Sequence, residues 1–395
     1  MKGTKVILAG TIYTPTEEIT NGVIVIEGHH IAKVGPKESV KIPSGATVID
    51  NQDRLVVPGF IDVHIHGAAG HDLMEATGEA VSAVAAYLAR HGTTSFLATT
   101  VTASLDRTLH SARALSEIIR TAQSASGPTD KFAGAQPLGL HLEGPFINVR
   151  RRGAHPASQI QTPSGRTLER ILDAADDTAR LLTIAPELEG ALQVLELARR
   201  RGLRVALGHS DATFEEAERA VTAGATYAVH VYNSMRPFLH RDGGILGAVL
   251  TDDRVSAELI CDGVHVEPPG VRLLVKSKGL ERVVLASDSL SGAGMPDGNF
   301  RLGNFMIHMS GGVSRSTEGN LTGSALTLDA AIRNLARFTG LSYKECLLCA
   351  TLNPARIAGI EKQKGMIAVG ADADLAVLDQ NHYVTQTYVR GRAVL

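Results

Sequence analysis

The chain of 395 residues is 44% hydrophobic and 20% charged, a composition that supports a large folded core and excludes wholesale disorder. Lys and Arg total 39 against 41 Asp and Glu, a formal net charge of −2, which excludes a general nucleic-acid or membrane-surface binder and leaves any positive field for an anionic substrate to be local. No apolar run reaches the roughly 18 residues of a membrane helix, no secretion signal is visible, and 3 cysteines cannot build a disulfide framework, so a cytoplasmic protein with no membrane or nucleic-acid partner is expected.

Residues 1–57 read as short strands separated by turns. The segments VILAGTIYT, GVIVIEGHHIAKVG and ATVIDNQDRLVVPG are rich in β-branched residues and broken by Gly, Asn and Pro. The last stretch, DADLAVLDQNHYVTQTYVRGRAVL, has the same character. Residues 1–57 and 362–395 are therefore expected to pair into one small β-sandwich domain built from both chain ends.

Between them, over 58–361, apolar strands alternate with helical stretches. The strands read are Phe60–His66, Ser95–Thr99, Leu138–Leu142, Leu181–Ala185, Arg204–Gly208, Tyr227–Val231, Ser256–Ile260 and Arg282–Ala286. The helices include EAVSAVAAYLARHG, TLERILDAADDTARL, GALQVLELARRRG, TFEEAERAVTAGA and GVRLLVKSKGL, with apolar residues three and four apart and Gly near several C-terminal ends. Eight β-then-α alternations predict an α/β fold, a closed (β/α)8 TIM-type barrel. After Asp288 the chain reads as a long loop, SLSGAGMPDGNF, followed by helices to about Ile360. Cys346 and Cys349 form a C-x-x-C inside SYKECLLCATL, which reads as buried helix rather than a redox or metal motif.

A barrel of this kind carries its chemistry at the C-terminal ends of its strands. Strand one ends in Asp62-Val63-His64-Ile65-His66, and residues two apart on a strand share a face about 6.7 Å apart. Strand three ends in His141-Leu142-Glu143, strand five in Gly208-His209-Ser210, strand six in His230-Val231-Tyr232-Asn233 and strand eight in Ser287-Asp288-Ser289. A lone His at a strand end is usually a hydrogen-bonded loop residue. Several such ends carrying His, Glu or Asp together predict a catalytic divalent metal site with nitrogen and carboxylate ligands, Zn first, with Fe, Mn or Co as alternatives. A carboxylate beside the metal can take a proton from water and return it to a departing nitrogen, and Asp288 is the candidate.

PGFIDVHIHG resembles the amidohydrolase superfamily, whose members place H-x-H on the first strand of a metal-dependent barrel. More narrowly, GLHLEGPFIN (139–148), GAHP (153–156), LGHSDATFEEA (207–217), HVYNSMRPFLHRDGGILGAVL (230–250), DGVHV (262–266), GAGMPDGNFRLG (292–303), GNLTGSALTLDAAIRN (319–334), ATLNPARIAGI (350–360) and KGMIAVGADADLAVLD (364–379) resemble the N-acetylglucosamine-6-phosphate deacetylase family across nearly the whole chain. The resemblance implies hydrolysis of an N-acetylated amino-sugar 6-phosphate to the free amine and acetate, in amino-sugar catabolism or recycling. It implies Glu143, His209 and His230 as the main metal ligands and Asp288 as the acid/base. His64 and His66 match the additional ligands of members that hold two ions, so one or two ions per subunit are expected. Glu143 would then bridge the pair, in the place a modified Lys takes in many relatives. Strand four, LLTIAPE, contains no Lys, which fits.

For the sugar, the resemblance implies Ala154 and His155, Asn233 and Ser234, the segment Asp262, Gly263, Val264 and His265, and the segment Leu321, Thr322 and Gly323. Arg241 matches an arginine that reaches the 6-phosphate from the neighbouring subunit, which implies a homodimer. Family members commonly have Ala where this chain has Ser234, and a Thr-Asp-Ala type sequence where it has Ser287-Asp288-Ser289. The run Arg150, Arg151 and Arg152 reads as a solvated charged face. Two alternatives remain in the enzyme class, N-acetylgalactosamine 6-phosphate or another N-acyl amine as substrate. A non-catalytic scaffold is disfavoured because every proposed ligand is present. A dinucleotide oxidoreductase is disfavoured because no G-x-G-x-x-G follows a strand and opens a helix.

Overall fold

A computed structural model describes residues 3–124 and 133–394. The outermost residues of the small domain expected from the sequence, 1–2 and 395, lie outside the described residues. Eight parallel strands form the central sheet, in the order of the chain: β1 (Phe60–Ile65), β2 (Thr93–Thr100), β3 (Gln136–Glu143), β4 (Ala179–Ile184), β5 (Arg204–Leu207), β6 (Tyr227–Ala228), β7 (Ser256–Leu259) and β8 (Val283–Leu285). The two edges meet through a parallel bridge between Ile65 and Ser289 and a hydrogen bond from Asp288 N to His64 O of 2.9 Å, which closes the ring. The expected (β/α)8 barrel is what the chain forms. β1 and β2 are buried at every position, the pattern of strands covered on both faces.

Eight helices surround the strands: α1 (Gly78–Arg90), α2 (Leu105–Ser124), α3 (Gly165–Ala175), α4 (Ala191–Arg200), α5 (Phe214–Ala223), α6 (Gly244–Thr251), α7 (Pro268–Lys278) and α8 (Leu328–Thr339). Their starts are set locally. Thr77 caps α1 by accepting from Ala80 N, and Thr213 and Glu216 form a reciprocal capping box at α5. α5 ends at Gly224, whose φ of 110° is costly for a residue with a Cβ. α6 is buried at all but two of its positions and therefore shows no amphipathic period.

The small domain is a seven-stranded sheet in which three strands from the C-terminal end lie beside four from the N-terminal end. Its order is Arg392–Val394, Val384–Val389, Leu375–Leu378, Thr47–Pro58, Lys5–Tyr13, Glu18–Glu27 and His30–Pro36. Alternation puts Val6, Leu8, Val23 and Val25 in one apolar cluster and Ile7, Ala9, Ile24, Ile26, Leu375 and Val377 in another, on opposite faces. Pro58 is separated from β1 by Gly59 alone, so this sheet is tied directly to the barrel. Lys364 reinforces it, with Nζ 2.5 Å from Asp374 and 2.8 Å from Asp372. Burial alone would lower the Lys364 pKa, but the charges of Asp374 and Asp372 outweigh it and raise it. The stabilisation is therefore complete at neutral pH and is lost only as pH climbs through that raised value, above the ordinary lysine range. Lys364→Met strands two carboxylates and should cost about 3–5 kcal/mol, read as a lowered urea midpoint at pH 7 with an unchanged denaturant slope.

The segment after β8 departs from the sequence expectation of a loop followed directly by helices. Four strands, Gly298–Leu302, Phe305–Ser310, Val313–Ser316 and Leu321–Ser324, form an antiparallel meander before α8. The turns are made at Gly303, Gly311 and Gly312, and Gly319, all at positive φ. The strands are short and buried on alternate residues only, as in Phe305–Ser310, so no long apolar run marks them. Cys346 and Cys349 are buried free thiols; burial pushes the Cys346 thiol up to about 12 and raises that of Cys349 well above its ordinary value, which disfavours the reactive thiolate. Among the described residues, no helix is long and apolar enough to cross a membrane.

Candidate metal centre and active site

The site is assembled where the strands stop and the chain turns. His209, His230, Tyr232, Ser234 and Asp288 all sit at positive φ, between 31° and 81°. Each non-glycine residue held there costs about 1–3 kcal/mol, and such positions gather where function fixes the backbone. These turns aim the side chains inward. His64 is fully buried at the end of β1, while Glu143 closes β3 with 2% exposure.

Five imidazoles surround the single carboxylate of Glu143. The Nε2 atoms of His64, His209 and His230 lie 3.3, 3.1 and 3.2 Å from Oε1, and those of His66 and His155 both lie 3.2 Å from Oε2. Asp288 Oδ1 stands 3.4 Å from His66 Nε2 and 3.7 Å from His64 Nε2. The ligand and acid/base candidates on β1 and β3 and just past the ends of β1, β5, β6 and β8 thus meet at one point.

The second nitrogen of each ring sets its tautomer. His209 Nδ1 donates to Arg151 O at 2.9 Å and His230 Nδ1 to Asn233 O at 3.2 Å, since a carbonyl can only accept. His64 Nδ1 lies 2.8 Å from Glu258 Oε1 and donates to it. With Nδ1 protonated, a neutral ring presents a bare Nε2 lone pair. His209 and His230 therefore aim two lone pairs at each other across 3.1 Å, beside a carboxylate oxygen. That arrangement repels itself unless a cation lies among the three atoms. Ligands about 2.0–2.1 Å from a tetrahedral zinc are separated by roughly 3.3–3.4 Å, close to the spacings found. Among the described residues His66 Nδ1, which is buried, has no hydrogen-bond partner, and its Nε2 is the atom turned to Glu143 and Asp288. His155 differs: its Nδ1 accepts from Thr102 N at 3.2 Å, so its Nε2 carries the proton and donates into the site.

The electrostatics point the same way. Burial opposes ionisation of Glu143, but the imidazoles gathered around it, His64 and then His155 foremost, outweigh it and hold its carboxyl well below the usual range. Burial is likewise overcome at Asp288, where His64 and His66 bring it down to about 2. His64 is raised well above its ordinary value despite burial, by Glu258, Glu143 and Asp288; His66 rises to about 9 through Asp288 and Glu143. Burial dominates at His209, which falls to about 4. The field that favours protons on His64 and His66 is one that favours a cation in their place.

A cavity of about 420 Å³ opens over this floor, lined by Glu143, His209, His230 and Asp288 below and by Ala154, His155, Asn233, Ser234, His265, Leu321, Thr322 and Gly323 around it. Asp262, Gly263 and Val264 are not among the lining residues. Asp262 instead holds His265, accepting from its Nδ1 at 2.6 Å and its backbone N at 2.8 Å, and Val264 is exposed. Arg241 is exposed and does not line the cavity of its own chain. Arg150, Arg151 and Arg152 do line the mouth, so the run is more than a solvated face: Arg151 pairs with Asp211 and Arg152 with Glu318 of the meander. The meander also fixes the backbone of Asp288, because Ser324 N donates to Asp288 O at 2.6 Å and a Cβ on Gly323 would lie 2.5 Å from the same oxygen.

Sequence reasoning missed two buried or half-buried carboxylates. Glu258 on β7 is fully buried and contacts His64, His230 and Tyr227. Glu187 accepts from Asn148, Ser210 and Asp211 N, bracing the loops that carry His209 and the Arg run. Asp62 was visible only as part of the first-strand motif. Its Oδ1 accepts from His64 N and Ser287 N, and burial pushes its pKa up to about 6.

The model of the Amidohydrolase family matches residues 55–394. An N-acetylgalactosamine-6-phosphate deacetylase of Escherichia coli O157:H7 is 39% identical over 350 residues, covering 89% of this chain and 90% of that protein. An N-acetylglucosamine-6-phosphate deacetylase of Lysinibacillus sphaericus is 35% identical, covering 88% and 87%. Among solved structures, a mutant N-acetyl-D-glucosamine-6-phosphate deacetylase from Mycobacterium smegmatis, in complex with N-acetyl-D-glucosamine-6-phosphate, superposes with a TM-score of 0.91 at 32% identity over the whole of both chains. The chain belongs to the amidohydrolase family.

Proposed function

We propose that this protein is a metal-dependent deacetylase that hydrolyses N-acetyl-D-glucosamine 6-phosphate to D-glucosamine 6-phosphate and acetate. The observation that carries the reading is the pair of bare imidazole lone pairs, from His209 and His230, meeting at Glu143 beside the ionised Asp288. The deacetylase relatives and the sugar-phosphate complex of the M. smegmatis protein supply the substrate class. Glu143, His209 and His230 would hold one ion, and His64 and His66, with Glu143 shared, a second. Zn is the first candidate, with Fe, Mn or Co as alternatives. When bound, such an ion polarises a carbonyl oxygen and acidifies water.

The chain's own groups do the rest. Asp288 takes a proton from the water whose oxygen attacks the acetamide carbon. The protonated Nε2 of His155 faces the same floor and can donate to the carbonyl oxygen as it gains charge. As the C–N bond breaks, Asp288 returns the proton to the amine nitrogen, leaving acetate and the free amino sugar. His265, with Nδ1 committed to Asp262, offers Nε2 to the substrate. Ala154, Asn233, Ser234 and Leu321–Gly323 form the sugar-facing wall, and Asp262–Val264 act through the loop that carries His265.

Arg241, exposed and outside its own cavity, suits a phosphate contact across a homodimer interface. Arg241→Ala should raise KM for phosphorylated substrate about 10- to 100-fold, as expected for hydrogen bonds to a charged group, and leave unphosphorylated N-acetylglucosamine unchanged. The same reading includes a division into a small domain (1–57 and 362–395) and a barrel (58–361), and a cytoplasmic location, where an ionic sugar phosphate is retained. A second reading, N-acetylgalactosamine 6-phosphate as preferred substrate, is favoured by the 39% identical E. coli relative. Acetate release from both epimers, with and without the phosphate, on chelated protein restored with single metals, tests both. No release from any of them with any metal would refute the function.

A further inference from the structure

The geometry points to Glu258 as a positioning residue: its carboxylate fixes His64 as a metal ligand and thereby sets the affinity of the His64–His66 end of the centre for a divalent cation. This rests on the metal-dependent reading above. Glu258 is fully buried on β7 and, among the described residues, makes no ion pair with Lys or Arg. Its three partners account for it. Oε1 accepts from His64 Nδ1 at 2.8 Å and from His230 N at 2.9 Å, and Oε2 accepts from Tyr227 Oη at 2.8 Å. An uncompensated buried carboxylate is strongly unfavourable, so a partner able to carry positive charge is required. The His64 ring, 2.8 Å away, is such a partner.

The consequence runs through the ring. A proton held on Nδ1 leaves Nε2 free, and Nε2 is the atom 3.3 Å from Glu143 and 3.7 Å from Asp288. The carboxylate also makes the imidazole more basic and fixes its rotation, both of which strengthen a metal bond. The same oxygen grips the backbone at His230, where the chain turns at a φ of 31°. One buried side chain thus braces a histidine from each half of the centre.

Glu258→Gln tests this with little steric change. The amide oxygen can still accept from His64 and His230, and the amide nitrogen can donate to Tyr227, so the hydrogen bonds survive and the charge is removed. Zn²⁺ titration of chelator-treated protein, with metal content measured directly, should show one site weakened about 10- to 100-fold and the other within about threefold of wild type. kcat should fall while KM holds. Tyr227→Phe removes a hydrogen bond from the same carboxylate but not its charge, and should leave both affinities within about threefold. Unchanged Zn²⁺ affinities in Glu258→Gln, an equal loss in Tyr227→Phe, or a wild type that takes up a single ion would each overturn the inference. If Glu258→Gln does not fold, Glu258→Asp, which keeps the charge but withdraws it from His64, carries the test through the same titration, and unchanged affinities there overturn it. Wild-type protein that binds no metal and releases no acetate would refute the proposed function, an outcome distinct from a Glu258 variant that binds normally.

Discussion

Asp288→Asn is expected to reduce kcat for acetate release by about 10²–10⁴-fold, the span that general acid–base catalysis contributes. The substitution is chosen because it removes the proton acceptor and little else. Asn has the same shape, and it tolerates the left-handed backbone, where Asp288 sits at a φ of 47°. The two backbone bonds that hold the turn, Asp288 N to His64 O and Ser324 N to Asp288 O, do not involve the side chain. What disappears is a carboxylate held down to about 2 by His64 and His66 against its burial. A group with so low a pKa is ionised throughout the neutral range and is therefore able to accept a proton at the moment of attack. Metal content and substrate affinity should stay within a fewfold of wild type, because Glu143, His209 and His230 keep their positions. Turnover within tenfold of wild type, at equal metal content, would remove Asp288 from the acid/base role.

The barrel was legible because β-strands covered on both faces must be apolar throughout, and helices covered on one side must repeat every three to four residues. Each of the eight strands read from the sequence is present, although β6 stops at Ala228 rather than Val231 because the chain turns at His230. The meander of 298–324 was not legible: its strands are short and half exposed, and their pairing depends on glycine turns. α6 was hidden for the opposite reason, being buried nearly all round. The histidines were legible as residue types at strand ends. Their tautomers were not, since these depend on the carbonyls of Arg151 and Asn233, which only folding brings to them. Glu258 was the least visible. In Ser256–Leu259 it is one polar residue of a short strand, and the histidine that explains it lies 194 positions earlier.

Glu143→Gln is the second large effect. It should weaken divalent metal binding more than about 100-fold, beyond the loss that outer partners of a metal ligand produce, and acetate release should fall to the level of chelated wild type. The argument is one of charge count around a single side chain. Five Nε2 atoms approach Glu143 within 3.1–3.3 Å. One of them, on His155, brings a hydrogen, and those of His209 and His230 bring lone pairs. A carboxylate satisfies this mixture because Oε2 accepts from His155 while Oε1 can share a cation with His209 and His230. An amide offers one acceptor and one NH2. If its NH2 faces His209 and His230 it donates to their lone pairs and occupies the space of the ion. If it faces His155 and His66, it sets donor against donor and forfeits His155. Neither orientation restores the negative charge that makes the centre attractive to a cation. The metal-free variant should remain folded, since its two facing imidazoles gain a donor in the first orientation. A near-native melting temperature without metal, together with lost zinc uptake, is therefore the expected pair of results. Full zinc occupancy in Glu143→Gln would mean that the ion is held elsewhere, and the centre built on His209, His230 and Glu143 would have to be abandoned.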